Sequence, residues 1–194
     1  MAIMDDMKKN IKFAGFTLVE LVVAVGLIAL LAGIAIPMLL SNLPIYRLRA
    51  ASREMLGAMQ RSRASAIRDA KDWGIIFNQA ANTYTVCEEI TVTGGNWVAQ
   101  TGLACEPAVS LTDYGSGVRF GDGGGSATTY IDGTVIPAND FIDYANSVVV
   151  FDSRGYSSSG SVVFANENNE CFGVGSSSAG VVRMRKWSGA GWVQ

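Results

Sequence analysis

Histidine is absent from the 194 residues, and with it go the commonest general base near neutral pH and one of the commonest metal ligands. Cysteine is scarce. The three present, Cys87, Cys105 and Cys171, fit no zinc spacing, and their odd number leaves one thiol without an intramolecular partner. Only 16% of residues are charged and the net charge is −2, so the chain as a whole does not attract nucleic acid and any such role needs a local basic patch. The run Gly121-Asp122-Gly123-Gly124-Gly125-Ser126 lacks the Gly-Lys-Ser/Thr ending of a phosphate cradle, and no helical pattern follows it. It reads as a flexible turn. Asp113, Asp122, Asp132, Asp140 and Asp143 carry oxygen donors, but their spacing matches no calcium loop. They read as solvated loop acids, and no metal site is assigned. With no histidine, no nucleophile motif and no metal cluster, the chain is read as a non-enzyme without a cofactor.

What the sequence has in quantity is one apolar block. Residues 16–40 hold a single ionisable side chain, Glu20, and as a helix they reach roughly 37 Å, enough to cross a hydrocarbon core of about 30 Å. A carboxylate at the centre of such a span costs about 2.5–3.5 kcal/mol or more when unpaired, so Glu20 needs a partner. A secretory signal would be shorter and would place its small-residue cut after the apolar core. Here the plausible cut lies before it. The basic stretch with Lys8, Lys9 and Lys12, followed by Gly15-Phe16-Thr17-Leu18-Val19-Glu20, resembles the prepilin processing signature of type IV pilins and type II secretion pseudopilins. Glycine ends the leader, phenylalanine opens the mature chain and glutamate is its fifth residue.

The resemblance implies that a membrane prepilin peptidase cuts between Gly15 and Phe16 on the cytoplasmic side and that the new Phe16 amine is N-methylated. It also implies that Glu20 faces the Phe16 amine of a neighbouring subunit when the helices bundle into a filament. Independently of any family, a carboxylate in an apolar bundle is tolerated only where an opposite charge reaches it, so the pair sets register. Gly26, Gly33, Ala24, Ala29, Ala32 and Ala35 offer small surfaces for close helix approach. Pro37 and Pro44 are expected to kink or interrupt the helix.

After the block, Ile45, Leu48, Ser52, Met55, Leu56, Met59 and Ile67 recur at helical spacing and predict an amphipathic helix to about residue 71 that packs on a head. Its other face carries Arg47, Arg49, Arg53, Arg61, Arg63 and Arg68, read as solvated or meeting acidic neighbours, in preference to binding phosphate. From Trp73 the period becomes that of strands. Gly74-Ile75-Ile76-Phe77 and Thr83-Tyr84-Thr85-Val86-Cys87 form a predicted hairpin, with shorter candidates around Val98, Arg119 and Val135. Residues 103–141 are poorly periodic and read as long loops or an insertion. Four apolar runs beginning at Ser147, Gly160, Cys171 and Gly180 predict an antiparallel meander.

Val150-Phe151-Asp152-Ser153-Arg154-Gly155, the strands after it and the closing Gly180-Val181-Val182-Arg183-Met184-Arg185 resemble the head of H-type pseudopilins and their minor-pilin relatives. The implied fold is α+β and type IV pilin-like: a leader at 1–15, a transmembrane or filament-core helix at 16–40, an amphipathic stalk helix at 41–72 and a β-rich head at 73–194. The implied role is a minor pilin or pseudopilin of a type II secretion pseudopilus or type IV pilus, placed near the filament tip. The implied partners are the prepilin peptidase, other major and minor pilins, the inner membrane, and secreted cargo or DNA. The head is expected in the periplasm, either membrane-held or in a filament, where a disulfide among Cys87, Cys105 and Cys171 is permitted, its pairing left open. Arg183, Arg185 and Lys186 partly match a DNA-binding tail element of some competence-pilus relatives, which makes a DNA-uptake subunit the alternative. The same alternation also fits an edge strand with its charges outward.

Overall fold

The computed structural model describes residues 16–93, 96–99, 105–115 and 117–193. Its first element, helix α1, runs over Leu18–Asp69. The chain divides into two compact units at Ser41 and Asn42.

In the first unit α1 begins on a cap. The Thr17 hydroxyl accepts the Glu20 N–H at 3.2 Å, satisfying a donor that has no intrahelical acceptor, and the Thr17 carbonyl accepts the Leu21 N–H at 3.1 Å as the first bond of the helix. The Thr17 to Glu20 spacing is that of a capping box. The large apolar side chains from Phe16 to Leu40 are exposed. The break expected at Pro44 is not found: α1 is continuous through Pro37 and Pro44. Each removes one backbone donor, and the flanking hydrogen bonds and apolar, helix-favouring residues hold the conformation around it.

In the second unit the rest of α1 lays one stripe on the head: Leu48, Ala51, Ser52, Met55, Ala58, Met59, Ser62 and Ala66 are buried. The stripe is narrower and smaller than predicted, and Ile67 is not on it. Ile67 is half exposed, and Ala66 takes the inward position. The two buried serines donate to carbonyls one turn back, Ser52 to Leu48 and Ser62 to Ala58, both at 2.9 Å, so neither hydroxyl is left unpaired.

The head holds two antiparallel sheets and a ribbon. In the first sheet, β1 (Trp73–Asn78) pairs with β2 (Thr83–Glu88), which pairs with β5 (Val109–Ser110), while β7 (Val148–Phe151) pairs with the other side of β1. The ribbon is β3 (Ile90–Thr93) with β4 (Asn96–Ala99). The second sheet has the order β11 (Trp192–Val193), β10 (Val182–Trp187), β9 (Cys171–Ser176), β8 (Gly160–Ala165), β6 (Arg119–Phe120).

The predicted four-run meander is therefore corrected at its first member, since β7 leaves it to join β1. Its run Val148-Val149-Val150-Phe151 is buried at every position, with Val149 and Phe151 in the main core and Val148 and Val150 in a second cluster with Cys87 and Ile90. A strand apolar on both sides needs a covered place in a sheet. The main core joins the α1 stripe to Ile75, Phe77, Tyr84, Phe120, Phe164 and Phe172. Phe77 stacks on Tyr144 with centroids 5.8 Å apart. The Tyr144 hydroxyl lies 2.9 Å from Ser176 Oγ and accepts the Ser176 N–H at 3.0 Å, tying the approach to β7 to the end of β9.

Residues 103, 104 and 116 of the poorly periodic stretch lie outside the described residues; the rest is a cover, not a free insertion. Leu111, Val118 and Phe120 enter the main core, and Ala127 and Tyr130 close a small outer core over Val163, Ala165 and Cys171. Periodicity is lost because the elements there are short: two-residue strands and a 3-10 turn at Leu111–Tyr114. Val135 makes one isolated bridge to Thr129 in place of the expected strand. The glycine-rich run is a turn, with Ala127 N–H bonded to Asp122 O at 2.9 Å and Ser126 Oγ to Gly123 O at 2.8 Å.

Candidate functional site

The segment that carries the sequence motif opens the described structure. Phe16 precedes the capped first turn and is 77% exposed, and Glu20 is exposed within that turn. A carboxylate there also complements the partial positive charge of the helix start. Gly15 and the leader lie outside the described residues. Thr17, the cap of this helix, is a residue that hydrophobicity alone passes over. Its signal is the Thr-x-x-Glu pattern, which the capping rule reads directly. Beyond it, an added side-chain carbon at Gly26 or Gly33 would meet nothing within 4 Å, so both positions leave room for another helix. By length and composition this helix suffices to cross a membrane.

The cysteines are sorted by the fold. Cys87 at the end of β2 is disulfide-bonded to Cys105 across a bridge between their backbones, with Cα atoms 4.2 Å apart. Cys171 is a free thiol in the small outer core, and burial pushes it up to about 11. A neutral thiol there is a packing group.

The arginines of α1 are mostly engaged by the head and its own helix. Arg49 lies over the Phe172 ring at 5.8 Å, Arg63 Nε donates to Gly155 O at 3.0 Å, and Arg61 pairs with Glu54 at 3.1 Å and Arg68 with Asp69 at 2.8 Å.

The three C-terminal cations do not form one patch. Across β8, β9 and β10 the register aligns Ser161, Gly175 and Arg183 in one row and Val163, Gly173 and Arg185 in the next. Side chains alternate along a strand, so Arg183 and Arg185 share the outer face while Val182, Met184 and Lys186 take the other. Val182 and Met184 pack on the core, and Lys186 Nζ reaches Glu170 Oε1 at 3.4 Å. Arg183 and Arg185, with Asp132, Ile131, Gly160 and Gly175, line a cleft of about 210 Å³. Glycine is required at Gly175 in its lining, where a side chain would meet Ser161 Cβ at 2.7 Å and Gly160 O at 2.8 Å. Arg185 Nε is buried without a hydrogen-bond partner, and among the described residues neither guanidinium is in an ion pair.

Three of the five loop aspartates influence one another. Asp143 is pushed up to about 6, first by burial and then by the charges of Asp132 and Asp140. Asp132 Oδ1 accepts from Thr134 N at 2.9 Å and Thr134 Oγ1 at 2.7 Å. No group of three or more metal-ligating side chains occurs among the described residues.

Residues 11–36 match the family model of the prokaryotic N-terminal methylation motif. No curated protein matches the chain in sequence. Among solved structures the chain is similar to the minor pseudopilin EpsH of the Vibrio cholerae type 2 secretion system, at 14% identity over 72% of this chain and 97% of that one, TM-score 0.46. It is also similar to the type IV minor pilin FimU of Pseudomonas aeruginosa, at 10% identity over 76% of this chain and 92% of that one, TM-score 0.46. The chain thus carries the prokaryotic N-terminal methylation motif at the start of a long helix that leads into antiparallel sheets.

Proposed function

We propose that this protein is a minor pilin or H-type pseudopilin: a non-enzymatic filament subunit, held in the inner membrane by α1 until it is processed and assembled near a filament tip, its head in the periplasm. The observation that carries this reading is the start of α1. The N-terminal methylation motif over residues 11–36 leads into a helix whose large apolar side chains are exposed along its first 20 or so residues, with one carboxylate in its first turn. An apolar helix with no cover in its own chain is covered by lipid before assembly and by other subunits after it.

In this reading the prepilin peptidase removes 1–15, leaving a methylated ammonium on Phe16 one residue before the Thr17 cap. Glu20, held in the first turn, offers its carboxylate to the Phe16 ammonium of an adjacent subunit. Inside an apolar bundle, breaking such a pair by removing one partner costs about 3–5 kcal/mol, so only helices in the correct stagger join. Other pilins or pseudopilins are the partners, and the small positions at Gly26 and Gly33 allow the close helix approach that burial requires.

The test is substitution of Glu20. Glu20→Ala and Glu20→Val are expected to be cleaved normally by the peptidase, read as the mobility shift of the processed chain, and to fall at least tenfold in sheared-filament fractions. Wild-type incorporation of either variant overturns the pairing.

A further inference from the structure

Independently of the Glu20 reading, β10 combines an open strand edge with two arginines on its outer face. β11 pairs with β10 only at Lys186 and Trp187, so on that side residues 182–185 have no paired strand among the described residues. An uncovered strand edge presents backbone donors and acceptors to an incoming extended segment. Beside this edge stand Arg183 and Arg185, on one face, without ion-pair partners among the described residues, lining the cleft with Arg185 Nε buried and unbonded. A buried guanidinium donor without an acceptor is costly to leave so, and a carboxylate is its best-matched acceptor.

We propose that the β10 edge and the Arg183–Arg185 cleft bind an extended acidic segment of a partner protein, which adds as a strand beside residues 182–185 and sets carboxylates from alternate positions against the two guanidinium groups. Side chains directly opposite in paired strands share a face, so a segment with acidic residues at i and i+2 meets both arginines at once. A protein segment is favoured over a nucleic-acid backbone by two features. The third cation, Lys186, faces the other way and is tied to Glu170, so the cations do not form a continuous phosphate track. Ile131 in the lining offers apolar contact to a side chain.

The test uses the full-length protein in detergent micelles and a fluorescently labelled, end-capped heptapeptide alternating threonine and glutamate, followed by anisotropy at low salt. Saturable binding is expected, at least tenfold weaker for the counterpart with glutamine at every glutamate and weaker again when alternate backbone nitrogens of the peptide are methylated. Arg183→Gln with Arg185→Gln is expected to match the loss seen with the glutamine peptide, while Lys186→Gln stays within about twofold of wild type. Because the two peptides are compared on the unaltered protein, a variant that folds poorly does not decide the result. Equal affinity for both peptides, or no binding at millimolar peptide, overturns the proposal. So does a duplex DNA oligonucleotide that binds more tightly than the peptide and is lost equally with Arg185→Gln and Lys186→Gln, which would assign the cations to phosphate.

Discussion

Asp143 shows how far a single side chain can depend on neighbours that its own stretch of sequence does not reveal. Burial, with the charges of Asp132 and Asp140, raises it from an ordinary 3.8 to about 6. A carboxyl raised in the folded state holds its proton more tightly there than in the unfolded chain, so its contribution to stability is complete below 3.8 and is lost as pH rises through about 6. Asp143→Asn is therefore expected to melt with the wild type near the bottom of that window and above it at pH 7 to 8. The gain is on the order of 1 kcal/mol once solvent screening of this half-buried group is allowed for. Thermal unfolding across pH checks it, and a gap that is widest at low pH would contradict it. Local features are the legible ones: Gly15, Phe16 and Glu20 stand together in a short motif, and the Thr17 cap, passed over by a reading of hydrophobicity, is encoded in the Thr-x-x-Glu spacing. Tyr144, whose hydroxyl meets Ser176 from 32 positions away, is not among them, because no local pattern encodes that contact.

At the scale of elements, period was a good guide to where helix and strands lie and a poorer one to which partner each takes. Period located β1, β2, β8, β9 and β10, yet β7 pairs with β1 and not with β8, a choice of partner that the period of a run does not encode. The helical stripe was read one residue off at its end, since Ile67 is the larger apolar residue while Ala66 is the one pressed to the sheet. The two positions make a direct test. Ala66→Leu overfills a packed contact and is expected to cost about 1–3 kcal/mol, while Ile67→Ala, at a half-exposed site, is expected to cost less than about 1 kcal/mol. Melting temperatures of the two variants in detergent check the order, and a larger loss at Ile67 would restore the sequence-based stripe. The link between Cys87 and Cys105, 18 positions apart, holds the end of β2 to the chain entering β5. Joint replacement of both by alanine is expected to lower stability by about 3 kcal/mol through loop entropy, seen as a fall in denaturation midpoint. The same fall should appear in wild type under reductant. Cys171→Ala, which removes only a buried thiol and leaves the disulfide in place, should keep that response to reductant.

Over the whole molecule, the division at Ser41 and Asn42 separates two kinds of stability. The second unit buries a core of its own, with Leu48, Met55, Met59, Phe151 and Phe164 fully buried. The first part of α1 does not, and its exposed Leu, Ile and Val side chains are stable only against lipid or other subunits. That contrast was visible in the sequence as an uninterrupted apolar block with one acid near its front, whereas the route by which residues 105–143 fold over the second sheet was not. The proposed processing is read most directly from the intact mass of the protein isolated from the membranes of its own cells. A chain beginning at Phe16 and carrying one methyl group on its amine is expected. A chain that retains residues 1–15, or begins anywhere other than Phe16, would contradict the reading.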